Sequence, residues 1–274
     1  MKRFKGIQCY ILLMSDNKIT RFSIFGFKGG VGKSTVAYFL ARDLAMRHRV
    51  LLVDRDYTNT IGKIYGLDTG IINVLADGVE GKFLARDGNL KVLSLISFQP
   101  RTLPALEDFA RSYSQVLEDV DVVVTDNPPN LDDITRIEAQ GYYRARGEFH
   151  CNAIVVTTPG LALRLTLEHL NEISSSLRSW VPEATYTRLV AFVVNMAREN
   201  VDVEVPRKVV IPFYRDMLFK GFREVPEPKE MEKVLEYAEQ AIAGGGPCSM
   251  IKQTTNLAPS RNGVKFLTQT YSYF

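Results

Sequence analysis

With 274 residues, a hydrophobic share of 46% and a charged share of 24%, the chain has the make-up of a soluble globular protein with a sizeable core in one or at most two domains. A formal charge of +3 is too small an excess to call for nucleic acid by itself, so any such partner has to be argued from where the basic residues lie. Cys9, Cys151 and Cys248 are odd in number, far apart and outside any CxxC, which argues against a disulfide framework and a four-thiolate metal site. A reducing, cytoplasmic setting is expected. Residues 1–5 are basic, but the apolar run at 11–14 is too short for a secretory signal, and no stretch approaches the ~20 apolar residues of a membrane span.

The first buried strand is predicted at residues 21–25, and the glycine-rich run Phe25-Gly26-Phe27-Lys28-Gly29-Gly30-Val31-Gly32-Lys33-Ser34-Thr35 follows it directly and opens a helix. A phosphate chain needs many donors converging on a small volume. Glycines let backbone N–H groups turn inward, and the helix N-terminus adds the positive end of its dipole. In such a loop Lys33 would meet the β- and γ-phosphates, Ser34 would bind Mg²⁺ and Thr35 would stand at the α-phosphate. The common G-x-x-x-x-G-K-[ST] pattern wants glycine where this chain has Phe27, so that pattern fails here.

A second strand, residues 50–53, ends in Asp54-Arg55-Asp56, and a third is predicted at 92–96. Leu106, Phe109, Ala110, Tyr113, Val116 and Leu117 recur at helical spacing. The strand at 122–125 runs into Asp126-Asn127-Pro128-Pro129, a carboxylate delivered by a strand and followed by prolines that restrict the next loop. Further strands are predicted at 153–157, 189–194 and 209–211, with helices marked by Leu163, Leu167, Leu170, Ile173 and Leu177 and by Met231, Val234, Leu235, Ala238 and Ile242. Residues 133–150 read as long and polar. Alternating strands and helices mean βαβ units: an α/β fold with a mostly parallel twisted sheet of seven to eight strands and helices on both faces. The expected division is an N-terminal extension or extra edge strand at 1–20, a P-loop domain at 21–243, and a surface-draped tail at 244–274 that lacks Asp and Glu.

Lys28-Gly-Gly-Val-Gly-Lys-Ser, with Asp54-x-Asp56 and Asp126-x-Pro128-Pro129, resembles the deviant phosphate loop and partner motifs of the ParA/MinD family of ATPases. The resemblance spans about residues 20–243. It implies ATP or ADP with Mg²⁺ as cofactors, and a homodimer in the ATP state with Lys28 reaching the partner's nucleotide. Asp56 would act on the attacking water, and Ser34, Asp56 and Asp126 would serve the metal. Tyr57 and Thr58 stand where the family continues Pro-Gln. On the adenine side, Asn195 could pair with the base, and Ile211-Pro212-Phe213 resembles the family's I-P-Y element, whose backbone lines that pocket.

Four classes within the fold are open. Residues 188–223 hold Arg188, Arg198, Arg207, Lys208, Arg215, Lys220 and Arg223 against Glu199, Asp202, Glu204 and Asp216. Basic residues in this half of ParA-like proteins form a surface for nonspecific DNA, so a ParA-like partition ATPase with nucleoid association is the leading expectation. It would work with a centromere-binding adaptor and without an N-terminal DNA-reading domain. A MinD-like positioning ATPase would need an amphipathic C-terminal membrane helix, which the aromatic tail does not offer, so no membrane anchor is expected. An iron–sulfur carrier would need paired cysteines. A metabolic ligase of the same fold fits the Lys28-Gly-Gly run less well.

Overall fold

The computed structural model describes residues 18–183 and 186–244. Most of the expected N-terminal extension and C-terminal tail, with Cys9 and Cys248, lies outside the described residues.

In chain order the elements are β1 (Thr20–Phe25), α1 (Lys33–Leu44), β2 (Val50–Asp54), α2 (Thr60–Ile64), α3 (Ile71–Asp77), β3 (Leu84–Asp87), β4 (Leu90–Ser94), α4 (Leu106–Val116), β5 (Val122–Asp126), α5 (Asp133–Arg146), β6 (His150–Thr157), α6 (Leu161–Trp180), β7 (Tyr186–Ala197), β8 (Lys208–Pro212), α7 (Arg215–Lys220) and α8 (Met231–Ile242). The strands form one eight-stranded sheet in the order β3-β4-β2-β5-β1-β6-β7-β8. Every neighbouring pair is parallel except β3 with β4.

The period of two along each strand sends alternate side chains to opposite faces. Phe22, Ile24, Val50, Leu52, Val122 and Val124 pack on one face with α1 and α8 residues such as Phe39, Leu40, Val234 and Ala238. Leu51, Val53 and Val123 face the other way, against Phe109, Tyr113, Ile134, Ile137, Ile173 and Leu177 of α4, α5 and α6. Both faces are covered, which is why the central strands read as unbroken apolar runs.

Five elements escaped the sequence reading: the short helices α2, α3 and α7, and also β3 and α5. β3 is short, its last two residues are exposed, and it carries Arg86 and Asp87 as an edge strand often does. α5 occupies the segment read as merely long and polar. The Asp132 side chain caps it by accepting from the Thr135 N–H at 2.9 Å, and Gly147 at φ 72° ends it.

The arrangement decides where a ligand can sit. β1, β2, β5 and β7 are parallel in the same sheet, so the loops after their C-terminal ends gather along one edge. In open parallel sheets that edge, where the chain order reverses, is where ligands bind.

Candidate nucleotide-binding site

The loop from Gly26 to Gly32 leaves β1 and turns into α1. A Cβ on Gly26 would lie 2.6 Å from the Val156 carbonyl oxygen, so only glycine lets the loop pass this close to β6. Gly32 has φ 94°, and a Cβ there would meet the Asn195 Nδ2 at 2.1 Å. Both backbone freedom and space therefore demand glycine. Val31 is buried and anchors the loop. Phe27, at the position that breaks the common pattern, packs half-buried against the core with its ring 5.8 Å from that of His169 on α6.

Lys33 opens α1 and is buried, its Nζ donating to the Lys28 carbonyl at 3.4 Å. Burial lowers its pKa, and Asp126 and Asp56 pull the other way. A desolvated ammonium with one long hydrogen bond is poised to take a polyanion. A cavity of about 370 Å³ opens here, lined by Gly29, Gly30, Lys33, Ser34, Thr35, Asp56, Asn195 and Pro212 among others. Lys28 is exposed and lines an adjoining cavity of about 720 Å³ with Thr158, Pro159 and Arg198, the two cavities sharing Gly29, Gly30, Met196 and Phe213.

The three acids of the motifs differ sharply. Asp54 is buried, and its carboxylate accepts from the N–H groups of Ile61 (2.9 Å), Gly62 (3.0 Å) and Asp56 (3.2 Å), so it ties the β2 end to the start of α2. Burial nonetheless pushes it up to about 6. Asp56 is half-buried, lines the smaller cavity and accepts from the Thr58 N–H at 3.0 Å. Asp126 stands beside Asp54 in the β2–β5 register, and both its carboxylate oxygens are buried without a hydrogen-bond partner. Burial and then Asp54 raise its pKa to about 8, although Ser34 and Lys33 act to lower it.

No hydrogen bond of good geometry reaches this carboxylate, the Ser34 hydroxyl being only near enough to act on it; so placed it is costly, and a cation would remove that cost. The donor set of Ser34, Asp126 and Asp56 suits Mg²⁺, which takes one or two carboxylates and completes its shell with phosphate oxygens and water. Among the described residues no group of three or more His, Cys, Asp or Glu could hold a metal without such help. Bound there, Mg²⁺ would neutralise charge on the terminal phosphates.

Asp126→Asn should therefore stabilise the nucleotide-free protein by about 1–3 kcal/mol, or roughly 3–10 °C in melting temperature, while abolishing Mg²⁺-dependent nucleotide binding. The folded-state pKa lies above the ordinary value of 3.8, so the Asp126 contribution falls as pH rises towards and through about 8. The gain from the substitution should accordingly be larger at pH 9 than at pH 6 in scanning calorimetry. A lower melting temperature for the variant at both pH values would contradict this picture.

On the base side, a shift in the β7–β8 register between Val194 and Ala197, with Met196 at φ 57°, turns the strand end. Asn195 is buried and its Nδ2 donates to the Val31 carbonyl at 2.9 Å, so this side chain tethers the phosphate loop to β7 while lining the cavity beside Pro212. The tether was not legible in the sequence, because it joins residues 164 positions apart.

The basic residues of 188–223 are not all at the surface. Arg188 is buried, donating Nε and Nη2 to the Asn152 Oδ1 at 3.0 and 2.8 Å and Nη2 to the Ala241 carbonyl at 3.3 Å. It is a core residue and is removed from the DNA-contacting set. Arg207 is half-buried with its guanidinium 5.0 Å from the Tyr237 ring centre, and the Lys208 ammonium donates to the carbonyls of Val201 and Val203. Arg198, Arg215, Lys220 and Arg223 are exposed. Arg198 lies over Phe213 at 4.3 Å, Lys220 pairs with Asp216 at 3.2 Å, and Arg223 donates to the Ile64 carbonyl at 3.1 Å.

The sequence family described as the CobQ/CobB/MinD/ParA nucleotide binding domain matches residues 22–240, a span that takes in the phosphate loop, both acidic strand ends and the base side. The chain belongs to this family. A candidate replication protein A of Rhizobium rhizogenes is 29% identical over 56% of this chain and 46% of its own length. An iron–sulfur cluster carrier protein of Rickettsia bellii is 32% identical over 48% of this chain and 42% of its own length. The chain thus spans less than half the length of these curated relatives.

Among solved structures, a plasmid partition protein of Borrelia burgdorferi bound to AMPPNP aligns with TM-score 0.57 at 19% identity, over 82% of this chain and 99% of that one. The cell division ATPase MinD of Pyrococcus furiosus aligns with TM-score 0.58 at 21% identity, over 82% of this chain and 100% of that one. Likenesses at this level of identity bear out the mostly parallel P-loop sheet expected from the alternating pattern. Among the described residues no helix is long and apolar enough to cross a membrane.

Proposed function

We propose that this member of the family is a ParA-like ATPase. It binds ATP with Mg²⁺ in the cavity lined by Lys33 and Ser34, dimerises with two nucleotides between subunits, and hydrolyses ATP weakly until a centromere-binding adaptor stimulates it. In the ATP state it holds DNA without sequence preference and serves plasmid or chromosome partition. The observation that supports the reading is the different placement of the two lysines: Lys33 is buried in the lining of the smaller cavity, whereas Lys28 is exposed and lines the adjoining one. A relative named as a replication protein is in keeping with partition. DNA would be held through the exposed Arg198, Arg215, Lys220 and Arg223. Contacts of this kind need charge and spacing but no base readout.

Asp56→Ala should bind ATP and turn it over slowly, trapping the ATP form. With ATP that variant should retard random duplex DNA in a gel. Four phosphate contacts per subunit, eight in the dimer, imply affinity falling roughly 10,000-fold between about 50 and 200 mM salt. ADP should give no retardation. If the variant hydrolyses ATP at the wild-type rate, Asp56 does not act on the water, and if trapped protein leaves random duplex unshifted at low salt, the cargo is not DNA.

A further inference from the structure

On the face of the sheet covered by α4 and α5, three ionised side chains are buried together. Glu138 of α5 is fully enclosed, and its Oε2 accepts from the Arg21 Nη2 and the Arg55 Nη1, both at 2.6 Å, while its Oε1 accepts from the Tyr113 hydroxyl at 2.7 Å. Arg21 also donates to the Ser23 Oγ at 2.8 Å and lies 4.7 Å from the Phe149 ring centre. Two guanidinium groups and one carboxylate leave a net positive charge in the interior. Such a cluster is weak evidence for stability, because apolar residues of the same volume would avoid the desolvation cost, so its use is to be sought in what it holds in place.

The remaining donors of Arg55 point to that use. Arg55 lies between Asp54 and Asp56 in the chain. Its Nη2 donates to the Thr125 Oγ1 at 2.9 Å and to the Asn127 Oδ1, and its backbone N–H donates to the Asp126 carbonyl at 3.1 Å. Asn127 in turn donates Nδ2 to the Ile24 carbonyl at 2.7 Å, near the start of the phosphate loop. The guanidinium therefore bridges the residues on either side of Asp126, while its own neighbours in sequence are the two acids of the β2 end. We propose that Arg55 is a positioning residue, oriented by Glu138, that fixes the Asp56 turn relative to the Asp126 strand end. It lines neither of the two cavities, and its role rests on the reading of this site as one for Mg²⁺ and ATP. Its planar fork reaches Glu138, Thr125 and Asn127 at once, which a lysine cannot do.

The test compares the unmodified 274-residue chain with Arg55→Lys, Asn127→Ala and the double variant, each measured for ATP affinity by calorimetry, for single-turnover hydrolysis and for melting temperature. Arg55→Lys should lower turnover about 10- to 100-fold while ATP affinity stays within about threefold. Asn127→Ala should lower turnover less, and the double variant should be no slower than Arg55→Lys, since both changes cut the same link. A purely structural role would let every variant that is folded at the assay temperature hydrolyse at the wild-type rate, and that result overturns the proposal. So do losses that multiply in the double variant, or ATP affinity falling in parallel with turnover. Should Arg55→Lys not fold, Asn127→Ala alone decides: slower turnover at unchanged ATP affinity supports the role, and wild-type turnover refutes it. If the unmodified protein binds no Mg²⁺–ATP, the nucleotide reading itself fails and takes this inference with it, a result distinct from all the others.

Discussion

Lys33→Ala is expected to abolish measurable ATP binding and to leave the fold intact. The ammonium is buried in the lining of the smaller cavity, held by a single 3.4 Å hydrogen bond to a carbonyl, and burial already lowers its pKa. Removing it takes a desolvated cation away from a polyanion site, a change that costs binding about 2–5 kcal/mol, or roughly 30- to 5,000-fold in affinity. The same removal relieves the nucleotide-free protein of a poorly satisfied charge, so its melting temperature should hold level or rise slightly. Calorimetric titration with Mg²⁺–ATP and a thermal melt of the same sample check both halves. Affinity equal to wild type would mean that the glycine-rich loop is not the phosphate site.

Lys28→Ala is expected to do the opposite: near-normal ATP affinity, with hydrolysis lost by about three orders of magnitude or more. Lys28 lies five residues before Lys33, is exposed, and lines the larger cavity rather than the one beside Ser34 and Thr35. A cation in that place matters only when a second nucleotide is brought to it. Two polyphosphates facing each other across a two-fold axis repel strongly, and a lysine supplied by the opposite subunit offsets that repulsion where negative charge builds up. Single-turnover hydrolysis measured alongside ATP affinity separates the two lysines. Loss of ATP affinity in Lys28→Ala would place this lysine on its own subunit's phosphates.

What was legible in the sequence was whatever is encoded locally. Lys28 to Thr35 sit on one loop and one helix start, and Asp126 ends an apolar strand, so spacing along the chain was enough to group them. The central strands were legible because both faces are buried and the residues run apolar without a break. Bonds between distant positions were hidden. Arg188 counted as a basic surface residue because charge along the chain says nothing of burial, and the partner that takes it inside, Asn152, faces it only once β6 and β7 are paired in register. The segment 133–150 read as long and polar, yet Glu138 sits on the buried face of α5, paired with Arg21 of β1 and with Arg55 just past the end of β2.

A clue was available at both ends of that cluster. Arg21 begins one buried apolar strand and Arg55 follows another, and a charge there requires a partner of opposite sign nearby. Asp54 shows the same limit in miniature: two acids at a strand end look equivalent in sequence, but three backbone N–H groups occupy one of them and leave Asp56 to the cavity.

The central claim is that ATP joins two copies of this chain through Lys28. Light scattering of the Asp56→Ala protein with ATP and Mg²⁺ should give twice the monomer mass, and the Lys28→Ala, Asp56→Ala double variant should stay at the monomer mass under the same conditions. Equal dimer fractions in the two proteins would rule out a nucleotide shared through Lys28.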